Sequence, residues 1–152
     1  MNRTLTRLGA CKEAVTWLGD RSLAEGWLAC ARADWMLWLL FRRAGRSRTR
    51  LVEAYLCACD CAETAMQYVP AGEDRPRLGI EARRRWCEGK ATDAEVKVAA
   101  GDAWADAAEV AMEAAWAAAG AAGAGGGAGA HRTMCDLIRR RVPTIRCPRL
   151  PP

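Results

Sequence analysis

The chain has 152 residues, enough for one domain with a true core, and much of its 51% hydrophobic content is alanine. A composition rich in Ala, Leu, Arg and Glu and poor in Ile, Val and Thr points to helix and away from sheet. The net charge of +5 comes from 20 Arg and 3 Lys set in blocks apart from the acids, which excludes a uniformly basic polycation, and no apolar run nears the roughly 20 residues of a membrane span.

Leu5, Leu8, Cys11, Val15 and Leu18 recur at helical spacing, and Gly19 stops that first helix. Its opening stretch, "MNRTLTRLGACKEAV", lacks the apolar segment of a secretory signal, so the eight cysteines are expected as reduced thiols in a cytoplasmic protein. Ser22 stands three residues before Glu25 in a capping box that opens a helix to about Cys30, and Asp34 is placed to cap the next, which runs to about Ala44. That helix holds seven apolar residues in a row, Trp35 to Phe41. Such a run covers the whole circumference and is expected to be mostly core, with Trp17, Trp27, Trp35 and Trp38 stacked around it.

Arg48 to Tyr68 reads as one long helix ended by Val69-Pro70. Within it, Cys57 and Cys61 share a face and Cys59 points away. No CxxC pair accompanies them and His131 has no partner histidine, so the expectation is packed thiols and no metal site. Asp74 is placed to cap a helix from about Pro76 to Glu88 with Gly89 beyond its end, and "TDAE" at 92 to 95 is a second capping box. It opens an alanine-rich helix to about Ala119. Residues 120–130 carry six glycines and read as a linker or a weak helix, 131–143 as a basic C-terminal helix packed on the core, and 144–152 as a tail. The sum is an all-α fold: a single compact domain of six to seven helices with no β-sheet, whose core spans residues 1–119.

No catalytic constellation stands out: GxSxG, GxxxxGK and HExxH are absent, and a single histidine leaves little room for imidazole chemistry. No catalytic residue, cofactor or metal is therefore assigned. Two charged patterns compete as surfaces. Glu95, Asp102, Asp106, Glu109 and Glu113, spaced by 7, 4, 3 and 4 residues, fall in one stripe about 27 Å long, flanked by Val98 and Trp116. Val96 and a series of alanines occupy the neighbouring sector, suited to close helix packing. Acids without interleaved bases repel each other, which is more use in binding a cationic surface than in stability. The second pattern is "FRRAGRSRTR", where Arg43, Arg46 and Arg50 sit at helical spacing and could contact phosphates.

The stretches "GACKEAVTWL", "LACARADWMLWLL", "LVEAYLCACDCAETAMQYVPAGEDRPRLGIEARRRWCEGKATDAEV" and "CDLIRRRVP" resemble, in this order, the predicted all-α immunity proteins numbered fifth among those of bacterial polymorphic toxin systems, also encoded by phages. The middle block, with "VPAGEDRPR" and W-x-x-G-x-A-T, is the specific part. The resemblance covers nearly the whole chain and departs at the glycine tract, where the family looks like continuous alanine-rich helix. It implies a non-enzymatic protein that neutralises a toxin or nuclease by stoichiometric binding, and it carries over no functional residues. On this reading the acidic stripe and Trp116 meet the basic surface of a protein partner, in the cytoplasm and away from membranes. Two alternatives stay open: a phage-borne, anti-CRISPR-type inhibitor of a host defence complex, and a small nucleic-acid-binding module using the arginine block.

Overall fold

The computed structural model describes residues 3–69, 71–100 and 123–145, and in these it is all-α, with eight helices, one 3-10 turn and no strand. The helices are α1 (Arg3–Leu8), α2 (Lys12–Leu18), α3 (Leu23–Ala29), α4 (Ala33–Ala44), α5 (Arg48–Glu63), α6 (Arg75–Cys87), α7 (Asp93–Ala100) and α8 (Gly123–Arg141). Met66–Tyr68 forms the 3-10 turn.

The helix expected across Leu5 to Leu18 is two helices. Gly9 takes φ +81°, and the chain closes on itself there, Gly9 N–H donating to Thr6 O (3.1 Å) and Ala10 N–H to Leu5 O (3.0 Å). This is the paired 6→1 and 5→2 closure of a helix ended by a left-handed glycine. Arg42 then fixes the break from α4: its Nε and Nη2 both donate to Leu8 O, at 2.9 and 2.7 Å. A Cβ on Gly9 would lie 3.1 Å from that guanidinium, so glycine serves both the turn and the approach.

The capping box at α3 forms as expected. Glu25 N–H donates to Ser22 Oγ (3.2 Å) and Ser22 N–H to Glu25 Oε2 (2.7 Å). Asp34 does not cap α4. The cap position is Arg32, whose guanidinium donates to both carboxylate oxygens of Asp34 (2.9 and 2.6 Å). The free Ala33 N–H of the first turn instead donates to His131 Nδ1 of α8, at 3.3 Å. The lone histidine is thus a cap supplied from across the fold.

The apolar run of α4 is core, as expected: Met36, Leu37, Leu39 and Leu40 are buried, and Trp35, Trp38 and Phe41 are half-buried. Against it lies α5, which packs on α4, α6 and α8. Small side chains make that position possible, since Ala54, Cys57, Ala58 and Cys61 are sealed from solvent and let neighbouring backbones come close. Cys59 points away from the Cys57–Cys61 face, as expected. It is buried too, on the side facing Ile80 of α6, because α5 is covered on more than one face. The helix also stops short of Tyr68. Thr64 Oγ1 turns back onto Cys61 O (2.7 Å), and the chain tightens into the 3-10 turn.

Asp74 precedes α6 without capping it. Its backbone is helical (φ −92°, ψ −12°), which aims the side chain away from the free amides and toward Arg77. At the other end Gly89, φ +75°, closes α6 as expected, with Lys90 N–H on Arg85 O. The second capping box holds α7: Glu95 N–H donates to Thr92 Oγ1 (3.2 Å) and Thr92 N–H to Glu95 Oε2 (2.7 Å).

The C-terminal helix is longer than the expected 131–143. It begins at Gly123, inside the glycine tract, and runs to Arg141. Five helical glycines each cost about 1 kcal/mol relative to alanine. What holds α8 is its second half, where Met134, Cys135 and Ile138 are fully buried and the following Val142 and Ile145 also enter the core.

Candidate functional site

Three places in the fold bear on function, and the α6–α7 hairpin comes first. Val96 is buried against Ala82 and Trp86, so the seam expected on this helix is in place at its start. That orientation leaves Glu95 exposed and Val98 84% exposed. The Glu95 carboxylate is engaged by Thr92, whose backbone N–H and then hydroxyl hold it below the ordinary glutamate value of 4.5. Asp102, Asp106, Glu109, Glu113 and Trp116 lie outside the described residues.

Beneath this hairpin is a cationic stack. Arg83 is 6% exposed and lies 4.1 Å from the Tyr55 ring centroid and 5.3 Å from that of Trp86. Arg48 covers Trp86 at 3.8 Å and donates to its backbone carbonyl at 3.0 Å. Guanidinium planes stack on indole faces while their stems fill apolar volume. The arginines here are building material.

The arginine block follows the same pattern in part. Arg43 is drawn inward to an ion pair with Glu53 of α5, its side chain only 10% exposed, so it does not join a surface with its two companions. Arg46 and Arg50 are exposed and pair with no carboxylate among the described residues. Elsewhere, Asp60 collects Arg84 (2.9 Å) and Arg141 (2.6 Å), tying α5 to α6 and α8. Arg139 reaches the carbonyls of Trp27 and Cys30 at the end of α3. Much of the basic excess is thus spent on helix ends and inter-helix ties.

The third place was not foreseen from sequence. Helices α1 to α4 border a half-open cavity of about 480 Å³, with Trp17, Trp27, Trp35 and Trp38 in its walls. Trp17 and Trp35 meet edge to face at 5.7 Å, and Trp27 Nε1 donates to Val142 O at 2.9 Å. The signal in the sequence was the clustering of tryptophans around one apolar run; it gave their neighbourhood and not the space between them.

The thiols buried in the core are chemically quiet. Among the described residues all seven cysteines are free, and burial pushes Cys57, Cys59 and Cys135 up to about 12, and Cys61 higher still. A thiol held protonated is neither nucleophile nor metal ligand. Among the described residues no group of three or more His, Cys, Asp or Glu side chains could hold a metal ion, and no helix is long and apolar enough to cross a membrane. No protein-family model, curated protein or solved structure matches the chain.

Proposed function

We propose that this protein acts without turnover, as an inhibitor that binds a protein partner one to one through the face of α7. The observation that supports it most is Val98, a large apolar side chain held 84% exposed on a helix whose start is fixed by a capping box. In sequence this valine stands beside the acid series that begins at Glu95 and continues through Asp102, Asp106, Glu109 and Glu113. An apolar anchor beside a series of acids suits a cationic protein surface. The charges would speed encounter, and the desolvated apolar contact would slow release.

The partner class that fits is a toxin or nuclease, met on the basic surface with which it binds nucleic acid. The resemblance to immunity proteins favours this over a phage anti-defence inhibitor with the same physics. The exposed Arg46 and Arg50 support a second reading, direct binding of nucleic acid by this chain.

The test is affinity capture from host lysate by the tagged protein, beside a variant with Asp102, Asp106, Glu109 and Glu113 changed to Ser and a second with Val98→Glu. Capture of a nucleic-acid enzyme by wild type, its inhibition at one-to-one stoichiometry and loss of both in the folded variants are expected. Equal capture by all three proteins rules out the α7 face. Co-purifying DNA or RNA, released by salt and lost on Arg46→Glu/Arg50→Glu, replaces the proposal with the second reading.

A further inference from the structure

We propose that the tryptophan-walled cavity between α1 and α4 is a binding site for a small, planar, uncharged and mainly aromatic molecule. Packed interiors hold few voids larger than a water molecule, whereas ligand pockets run from roughly 300 to 1,000 Å³. This cavity, at about 480 Å³, belongs to the second class.

The walls are shaped for rings. Trp17 and Trp35 stand edge to face at 5.7 Å, which presents indole surfaces at an angle to one another. Trp27 contributes its apolar face only, because its one polar atom is already committed to Val142 O. Opposite, Gly26 draws α2 and α3 together: a Cβ there would lie 2.3 Å from Leu18 Cδ1 and force that buried side chain to move.

Charge decides which rings fit. The tryptophans already carry guanidiniums, Arg21 at 4.2 Å from Trp17, Arg32 at 4.7 Å from Trp35 and Arg42 at 5.8 Å from Trp38. A cationic ligand would be repelled by those three charges. The acid in the lining, Asp34, is taken by a two-pronged contact from Arg32. That contact leaves Asp34 closed to a ligand cation, and it would have to break before Arg32 could take a ligand carboxylate. What remains is apolar surface, dispersion and aromatic edge-to-face contact, which select a neutral ring system.

The experiment uses the whole chain and N-phenyl-1-naphthylamine, a neutral two-ring probe excited through the tryptophans by energy transfer. Saturable binding of one probe per chain is expected, with Kd on the order of 10 μM. Saturating probe should also slow acrylamide quenching of tryptophan emission in the wild type. Ala14→Phe places a ring in the cavity from α2 and should weaken binding at least tenfold, with cooperative melting retained; Ala10→Leu fills it from the α1–α2 link and replaces that variant if it does not fold. The cation 1-naphthylmethylammonium should bind at least tenfold more weakly. Binding untouched by the filling variants, no saturation with the wild type, or unchanged acrylamide quenching would each overturn the site. Equal affinity for the cation would overturn the class of ligand assigned to it.

Discussion

Two regions of one small protein solve the packing problem in opposite ways. Where α5 meets α4 and α8, the contact residues are Ala54, Cys57, Ala58, Cys61 and Cys135, small groups that let backbones approach, with Met134 and Ile138 filling what remains. Where α1 to α4 meet, four tryptophans stand among leucines and other apolar groups, and about 480 Å³ is left between them. Apolar composition alone does not give a dense core. Side-chain size decides whether adjoining helices close or leave space.

Truncations should separate the two regions most clearly. Leu40→Ala in the dense half removes a side chain that is fully buried, and we expect a loss of about 3–4 kcal/mol in urea unfolding. Leu23→Ala removes the same atoms from the half-buried wall of the cavity, where less surface is taken from water. Its expected loss is under about 1.5 kcal/mol. Equal losses would mean that the cavity is closed in solution. The next largest effect belongs to Asp60, which receives Arg84 and Arg141 from two different helices while itself only 18% exposed. Asp60→Asn should cost about 1–2 kcal/mol, and the deficit should shrink as salt is raised, since both arginine side chains are about one-third exposed.

How far the sequence reaches depends on how far apart the partners lie. Features made by neighbours were legible: the Ser22–Glu25 and Thr92–Glu95 boxes, Gly89 beyond α6, and the burial of an all-round apolar run. Features decided by remote partners were not. Gly9 breaks a continuous pattern with the help of Arg42 on another helix, and Asp34 loses its capping role to His131, 98 residues from the amide it serves. Cys59 alternates out of its helical face correctly, yet α6 covers that side as well. The candidate surfaces divide in the same way. Periodicity groups Arg43, Arg46 and Arg50, but Glu53 on α5 removes the first of them. The cavity is the extreme case, because residue identity names its walls while only the placement of four helices creates it.

His131 measures one such remote contact on its own. His131→Ala leaves Ala33 N–H, in the first turn of α4, without its acceptor. A lost cap of this kind should cost about 1 kcal/mol in urea. Ser at position 131 is too short to bridge from α8 to α4, so it should not rescue the loss. A merely local role for His131 within α8 would instead leave His131→Ala at or above wild-type stability, since alanine is the better helix former.

The smallest effect concerns pH and the two capping boxes. Glu25 is held below the ordinary value of 4.5, first by the Ser22 hydroxyl and then by the Ser22 backbone N–H; Glu95 is held below it by the Thr92 backbone N–H first. A carboxyl that binds its proton less readily when folded contributes stability above its unfolded value and loses it as the pH falls through the folded one. Wild type should therefore be more stable than Glu25→Gln/Glu95→Gln at pH 7, and the gap should narrow as the pH falls below about 4.5. Both carboxylates sit in water, so the gap is small and needs paired melts in one buffer series to resolve. The two boxes also differ in a way the single variants can expose. Ser22 starts α3, which borders the cavity, whereas Thr92 starts the α6–α7 hairpin. Glu25→Gln should accordingly alter naphthylamine affinity with no change in partner capture, and Glu95→Gln should do the reverse. Crossed effects would show that the two surfaces are coupled through the dense core between them.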